Sequence, residues 1–504
     1  MILNEKYEIP PNWVWTTFNE FAEINPKLPF NQLSDDFEVS FIPMSHVQEE
    51  SGMINLELIK KYKDVKKGFT DFIDGDIIFA KITPCMENGK IAIVKNLHNK
   101  IGFGSTEFHV IRLPTNINNK FYFYFVSQDW FRKLAGKNFT GTVGQRRVPT
   151  DFMKHVLVPL PPYNEQVRIV SKIDELFSNL DVSLNILKKG RFQLNQYCNA
   201  TLKYAFNGKL TEGWRKRHRD QIEPALRSLE RFRLERQKNW EEDPRHLKSD
   251  VREKRFKEDT SANIENLPSL PIEWTYANAD ELSVQITDGE HITPRRQENG
   301  VFLLSARNVR DGHLSVEKVD FISNDEYERI RKRLNPEPGD VLLSCSGSIG
   351  RTCVVPENIK FSMVRSVALL KPRKELVSGK YMSLALRSDI LQSQINRKKT
   401  QTAQANIFQG KIKTLTFPLA PFQEQGHVVH EIERRFSVAD DIEKIIEQIS
   451  ARAVRMRKII LKRAFEGRLI SQDTNESASV LLEKIKAETT VIGKPSMRGR
   501  KSMN

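Results

Sequence analysis

The sequence predicts an α+β chain made by internal duplication, with two similar globular domains separated by two long antiparallel coiled-coil spacer helices. Three observations predict it. PLPPYNEQ at 159–166 returns as PLAPFQEQ at 418–425, and LKYAFNGKL at 202–210 returns as LKRAFEGRL at 461–469, so that 159 to 418 and 202 to 461 are the same shift of 259 residues. The stretch before each first motif alternates short β-branched and aromatic runs with Gly, Pro, Asn and Asp, the pattern of short strands and turns. The stretch between the motifs carries apolar residues every three or four positions, the pattern of a long amphipathic helix.

A common shift means that the whole interval recurs without net insertion. A period this long marks a duplicated multi-element unit, since solenoid repeats run roughly 20–50 residues. The match extends outward: Gln145 falls on Gln404, Gly75-Asp76 on Gly339-Asp340, and Pro10 and Trp13 on Pro271 and Trp274.

In the first globular part, 1–158, GDIIFAKI, GKIAIVKN and TEFHVIRL read as strands; in the second, 263–416, so do GDVLLSC, RTCVVPEN and SVALLKP. NKFYFYFVSQDWF at 119–131 lies over GKYMSLALRSDIL at 379–391. Leu and Ala replace its aromatics there, which predicts a buried helix rather than a platform on which bases stack.

The first spacer, 159–210, has Ile169, Ile173, Leu176, Leu180, Leu184 and Leu187 in step. The second, 417–470, has Val428, Ile432, Ile442, Ile445, Ile449, Met456 and Ile460. Proline opens each and glycine, Gly208 or Gly467, closes it. Some 40 residues at ~1.5 Å each give a rod on the order of 60 Å. Two such helices in a chain that must return toward its start are expected to pack antiparallel. Between and after them lie a basic, charged helical linker at 211–262 and a tail at 471–504 with a short helix.

With 504 residues, about three or four domains are expected, each large enough for its own core. The longest apolar run, FYFYFV at 121–126, is far short of the ~20 residues that span a bilayer. The start, MILNEKYEIPPNW, has an acid and no apolar core, so a secretory signal is not expected. Cys85, Cys198, Cys345 and Cys353 form no C-x-x-C pair and do not recur between the copies, which points away from zinc and disulfides and toward a reducing cytoplasm. A net charge of +15 suits a polyanionic partner, with basic clusters at WRKRHR (214–219), Arg146-Arg147 and Arg397-Lys398-Lys399.

Catalytic patterns fail on inspection. Pro161-Pro162-Tyr163 has the look of an adenine methyltransferase loop, but Leu160 stands where a hydrogen-bonding residue must accept from the target amine. GSIGRT at 347–352 lacks the lysine and spacing of a phosphate-binding loop. His427 and His430 have the wrong spacing for a zinc helix and are expected on a solvated helix face.

Two variable α+β domains, each followed by P-L-x-P-x-x-E-Q, a long helix and L-K-x-A-F-x-G-x-L, resemble the specificity subunit of a type I restriction-modification system. The resemblance covers nearly the whole chain. TDGEHITPRRQENGVFLLSARNVRDG at 287–312 resembles the opening of many target-recognition domains of that family, and EPALRSLERFRLER (223–236) and ESASVLLEKIKAE (476–488) resemble the segments such subunits carry after each helix. The first domain departs from this, with INPKLPFNQ in place of the D-G-x-H-x-T-P stretch.

The resemblance implies a DNA-binding, non-catalytic subunit. Each target-recognition domain reads one half of a bipartite, asymmetric double-stranded target. The helices set the gap and dock two methyltransferase subunits, and restriction (motor-nuclease) subunits join to cut. S-adenosylmethionine then belongs to the methyltransferase partner and ATP and Mg to the restriction partner, with no cofactor in this chain. The alternatives are a protein-only coiled-coil scaffold and a DNA-modifying enzyme in its own right.

The duplication sorts candidate contacts. If the domains read different half-sites, identical positions such as Gln145 and Gln404 serve the scaffold or the backbone, and base readers lie where the copies diverge. The DNA-binding candidates are therefore Lys81, Thr83, Glu87 and Asn88 in the first domain, and Thr287, Asp288, His291, Thr293, Ser346, Ser348 and Arg351 in the second. Arg146, Arg147, Lys398 and Lys399 are candidates for phosphate.

Overall fold

The computed structural model describes residues 7–28, 33–142, 145–241, 264–292, 294–400, 405–473 and 475–492. Gln404 and Thr293 lie outside the described residues. The chain divides into two compact units, one of residues 1–187 with 447–504 and the other of 188–446. Both divisions fall inside a long helix, Tyr163–Phe206 in the first copy and Phe422–Phe465 in the second, each of 44 residues. Each unit thus combines the sheets and the early helical turns of one copy with the late helical turns of the other.

In the first unit, β1 (Val14–Thr17) pairs with β10 (Leu157–Leu160). Between them run β2 (Glu23–Ile24), β3 (Glu38–Ile42), β4 (Ile59–Lys61), β5 (Thr70–Ile73), β6 (Ile77–Ala80), β7 (Ile91–Ile93), β8 (Ile101–Gly104) and β9 (Phe108–Arg112). They form two four-stranded sheets, β2-β9-β6-β7 and β4-β3-β8-β5, with β3 and β8 parallel. Ile42, Phe72, Ile78 and Val110 are buried together in one core cluster, which draws on both sheets.

The second unit repeats the plan with β11 (Thr275–Asn278), β12 (Ser283–Asp288), β13 (Val301–Leu304), β14 (Val309–Arg310), β15 (His313–Leu314), β16 (Asp320–Ile322), β17 (Val341–Ser344), β18 (Thr352–Val354), β19 (Phe361–Met363), β20 (Val367–Pro372) and β21 (Thr416–Leu419). Here β11 pairs with β21, the sheets are β12-β20-β17-β18 and β16-β13-β19, and β13 and β19 are parallel. The strand runs read from sequence are β6, β7, β9, β17, β18 and β20.

The expected buried helix at 119–131 is two helices, Asn119–Val126 and Asp129–Lys137. Its counterpart is likewise divided, into Gly379–Leu386 and Asp389–Lys398. Phe121, Tyr122 and Phe125 are fully buried in a core that includes Trp13, Ile169, Ile173, Ile460 and Phe465. These rings pack on one another and on Phe465 rather than facing solvent.

The repeated Glu-Gln after each proline motif has a structural reason. In the first unit Trp13 Nε1–H donates to Glu165 Oε1 at 2.9 Å, and the backbone N–H of Asn118 donates to Gln166 Oε1 at 2.9 Å. In the second, Trp274 Nε1–H donates to Glu424 Oε2 at 2.8 Å and the N–H of Ser378 to Gln425 Oε1 at 3.0 Å. Tyr122 and Tyr381 donate their hydroxyls to the carbonyls of Pro159 and Pro418 at 3.1 and 2.8 Å. The motif staples the start of a long helix to the first strand and to the cap of the short buried helix. Burying these polar groups is tolerable because each is satisfied.

The helical segments run antiparallel within each unit. Arg168 lies 3.7 Å from Asp473 and Asp181 pairs with Arg457 in the first unit; Arg191 pairs with Glu443 and Arg215 with Glu424 in the second. The predicted stripe needs correction on the second helix. Ile442, Ile445, Ile449 and Met456 are exposed, and the buried line is Ala439, Ile446, Ala453 and Ile460. That line steps by seven, and its alanines allow close approach where a row of isoleucines would not.

Both helices end on a left-handed glycine, Gly208 at φ +70° and Gly467 at φ +67°. A Cβ on Gly208 would fall 2.4 Å from Pro271 Cγ, and one on Gly467 2.2 Å from Pro10 Cγ. The glycine that closes one copy's helix therefore packs on the proline that opens the other copy's first strand.

Candidate nucleic-acid interface

At one end of the first unit's sheets, four connections are hydrogen-bonded into one surface. The backbone N–H of Lys81 donates to Glu107 O at 2.8 Å, that of Val148 to Lys81 O at 2.9 Å and that of Thr83 to Arg146 O at 3.1 Å. Glu50 N–H donates to Gly89 O at 3.1 Å. This joins the segments 43–55, 81–90, 105–107 and 139–148, which leave β3, β6 and β8 and precede β10.

The second unit builds the same frame. Cys345 N–H donates to Ser366 O at 2.8 Å, Ile407 N–H to Cys345 O at 3.0 Å and Val364 N–H to Leu304 O at 2.9 Å. Ser346 bridges Asn406 as Ile82 bridges Arg147. Three backbone bonds of 105–108 recur at 364–367, those of Ser105 N–H, Glu107 O and Phe108 N–H matching those of Val364 N–H, Ser366 O and Val367 N–H, while the side chains differ.

Lys81, Thr83, Glu87, Asn88, Arg146 and Arg147 all lie on the first surface. Thr83 Oγ1–H donates to Glu87 Oε1 at 2.9 Å and Asn88 Nδ2–H to Glu49 Oε1 at 2.8 Å. Lys81 and Arg146 make no ion pair among the described residues. Arg147 does: its guanidinium grips Glu107 through Nε at 2.9 Å and Nη2 at 2.8 Å. The hydrogen bonds from Arg147 hold the Glu107 carboxyl below its usual range. Gln145 is exposed beside them, with its carbonyl accepting from Arg147 at 3.0 Å.

His109 ties this surface to the sheet. It is 1% exposed. Its Nε2–H donates to Val148 O at 2.8 Å, leaving Nδ1 to accept from Asn25 Nδ2 at 3.1 Å. Burial lowers its pKa to about 4, so the ring is neutral at pH 7.

On the second surface Ser346, Ser348 and Arg351 occupy the β17–β18 connection, and the guanidinium of Arg351 makes no ion pair among the described residues. Asp288 and His291 lie beside it, with His291 Nε2 at 3.0 Å from Asp288 Oδ2. Lys399 is held by Asn396 at 2.9 Å on the neighbouring helix end. Thr287 is buried, and the half-buried Lys398 is engaged by Thr414. Thr287 is 7% exposed and accepts from Arg333 Nη1 at 3.3 Å. Lys398 donates to Thr414 O at 2.7 Å and Thr414 Oγ1 at 2.6 Å, and burial lowers its pKa.

The histidine face expected to be solvated, and one residue of a basic cluster expected to suit a polyanion, are partly internal. His427 stacks on Trp214, ring centroids 5.4 Å apart, and Trp214 stacks in turn on His218 at 4.5 Å. Arg215, from the same basic cluster, is buried against Glu424. Among the described residues no group of three or more His, Cys, Asp or Glu could hold a metal ion, and no described helix is long and apolar enough to cross a membrane. Leu160 is fully buried in β10, and Pro161 O accepts from Gln166 Nε2–H at 2.9 Å.

Thr106, Arg365 and Asn406 also lie on these surfaces and were not among the candidates read from the sequence. A strict alignment of 104–108 on 363–367 carries the signal, because it sets Thr106 on Arg365 and Glu107 on Ser366.

The family described as "Type I restriction modification DNA specificity domain" matches residues 10–189 and 295–451. The EcoAI specificity subunit of a type I restriction enzyme from Escherichia coli is 29% identical over 88% of this chain and 80% of its own length. The EcoEI specificity subunit, also from Escherichia coli, is 27% identical with the same coverage. Among solved structures, the HsdS subunit from Thermoanaerobacter tengcongensis matches 92% of this chain and 99% of its own, with a TM-score of 0.52 and 19% identity. A chain from a structure described as the basis of complex assembly and conformational transition of the type I R-M system matches 92% of this chain and 100% of its own, with a TM-score of 0.65 and 18% identity.

Proposed function

Because the chain belongs to the family of type I restriction-modification DNA specificity domains, we propose that it is the non-catalytic specificity subunit of such a complex. Each unit reads one half of a bipartite, asymmetric duplex target. The observation that carries this reading is the pair of loop surfaces with one backbone frame and different side chains. Two readers of unlike half-sites need the same presentation and different chemistry.

The long helices set the gap between half-sites, which must be near one DNA turn, about 34 Å, or a multiple of it. They also dock the methyltransferase subunits. Val438, Ile442 and Ile445 are exposed on the second helix at helical spacing, and an exposed apolar stripe suits a protein partner. S-adenosylmethionine enters with that partner, and ATP and Mg with the restriction subunits. Work on genomic DNA places the assembly in the cytoplasm.

The test is methyl transfer to DNA by this chain alone, by the methyltransferase partner alone and by the two together, with S-adenosylmethionine and magnesium. Transfer at defined sequences only by the pair is expected. Turnover by the chain alone would make it an enzyme, and a stable pair with no DNA sequence preference would make it a scaffold.

A further inference from the structure

Arg365 sits at the tip of the three-residue connection between β19 and β20, where the first unit has Thr106. The equivalence is set by hydrogen bonds as well as by number: Ser105 N–H donates to Ile42 O as Val364 N–H donates to Leu304 O, and Phe108 N–H to Ser105 O as Val367 N–H to Val364 O. The two turns share these bonds, yet one presents a hydroxyl and the other a guanidinium.

The tip is held from three sides. Arg365 N–H donates to Glu290 O at 3.1 Å, Ser366 Oγ accepts from Ala306 N–H at 3.0 Å, and Ser366 O accepts from Cys345 N–H at 2.8 Å. The Asp-Gly-Glu-His loop lies so close that a Cβ on Gly289 would come within 2.3 Å of Val364 O. Glycine is required there for the two backbones to touch. Arg365 is exposed, and its guanidinium makes no hydrogen bond or ion pair among the described residues. The nearby acids are committed elsewhere: Glu290 lies 3.8 Å from Arg333 and Asp288 3.0 Å from His291. In the first unit Glu107 and Arg147 pair where the second has Ser366 and Asn406.

We infer that Arg365 is a base-reading residue of the second unit, and that it makes the half-site read by that unit require a guanine. A rigid backbone presenting a free guanidinium suits two-point recognition of guanine O6 and N7 in the major groove. A phosphate contact would serve equally well from a mobile side chain and would leave no reason to hold the tip so firmly. Thr106 cannot make that contact, so the requirement belongs to one half-site. The inference rests on the functional reading above.

The test is methylation mapping of DNA from cells co-expressing the methyltransferase partner with the wild-type chain, with Arg365→Ala or with Arg365→Gln. The substituted side chain is exposed and the tip is held by the main chain, so both variants keep the fold. The expected result is that one guanine position in one half-site becomes degenerate, with discrimination there falling roughly ten- to a hundredfold, and the other half-site unchanged. An unchanged motif, at full or at evenly reduced methylation, overturns the assignment, as does loss of all methylation by both variants in an intact complex. Failure of the wild-type chain to give any bipartite motif would instead sink the functional reading, and the assignment with it.

Discussion

Trp274 donates its indole N–H to Glu424 at 2.8 Å, and the same carboxylate takes the guanidinium of Arg215 at 3.0 Å. The three residues come from the turn just before the first strand of the second copy, the start of its long helix and the segment that follows the first copy's helix. A buried carboxylate thereby joins both copies within one unit.

Removing Glu424 leaves Arg215, whose side chain is 8% exposed, as a buried cation without its counter-ion. Glu424→Ala is expected to destabilise the second unit by about 3–5 kcal/mol, and Arg215→Met in the same chain to restore part of that. Glu165 has Trp13 and Asn12 as partners and is pushed above the usual carboxyl range by burial. Glu165→Gln should therefore be milder. Hydrogen exchange resolved by unit measures both.

The buried His109 makes the first unit sensitive to acid. Its folded pKa of about 4 lies below the ordinary value of 6.5, so its contribution is complete above pH 6.5 and is lost as pH falls toward 4. The loss is on the order of 3 kcal/mol over that window. His109→Gln should flatten the dependence of first-unit stability on pH between 6.5 and 4. An unchanged slope in thermal melts would remove His109 as its source.

Alanine at either helix-closing glycine adds a Cβ against proline in a left-handed backbone conformation. The expected cost is about 1–3 kcal/mol. Gly208→Ala should loosen the second unit through Pro271, and Gly467→Ala the first through Pro10. Limited proteolysis reads this: the unit that becomes sensitive is the one holding the proline.

Arg146→Ala should weaken binding to all duplexes alike and reduce the slope of log affinity against log salt by about one. Arg147→Ala should change that slope less, because its charge is already paired with Glu107. Fluorescence titrations at several salt concentrations separate the two.

Much of this was legible in the sequence, because a duplication with constant shift exposes elements that a single copy hides. The strands, the long helices and their closing glycines followed from local patterns. The interleaving did not. That 447–504 belongs with 1–187 depends on contacts such as Gly467 against Pro10, which no local pattern encodes. Ile442 and Ile445 matched the helical period but face outward, since period alone does not say which of two apolar faces the alanines at 439 and 453 let approach. Divergence between copies led to Arg351, yet passed over Arg365 because it stands alone between two short strands.

The most direct measurement is a methylation map of host DNA with this chain present and with it deleted, the methyltransferase partner being retained. The expected result is adenine methylation at both halves of a split, asymmetric motif that disappears on deletion. Methylation that persists unchanged without the chain, or that falls on a single continuous motif, would contradict two separate readers in one polypeptide.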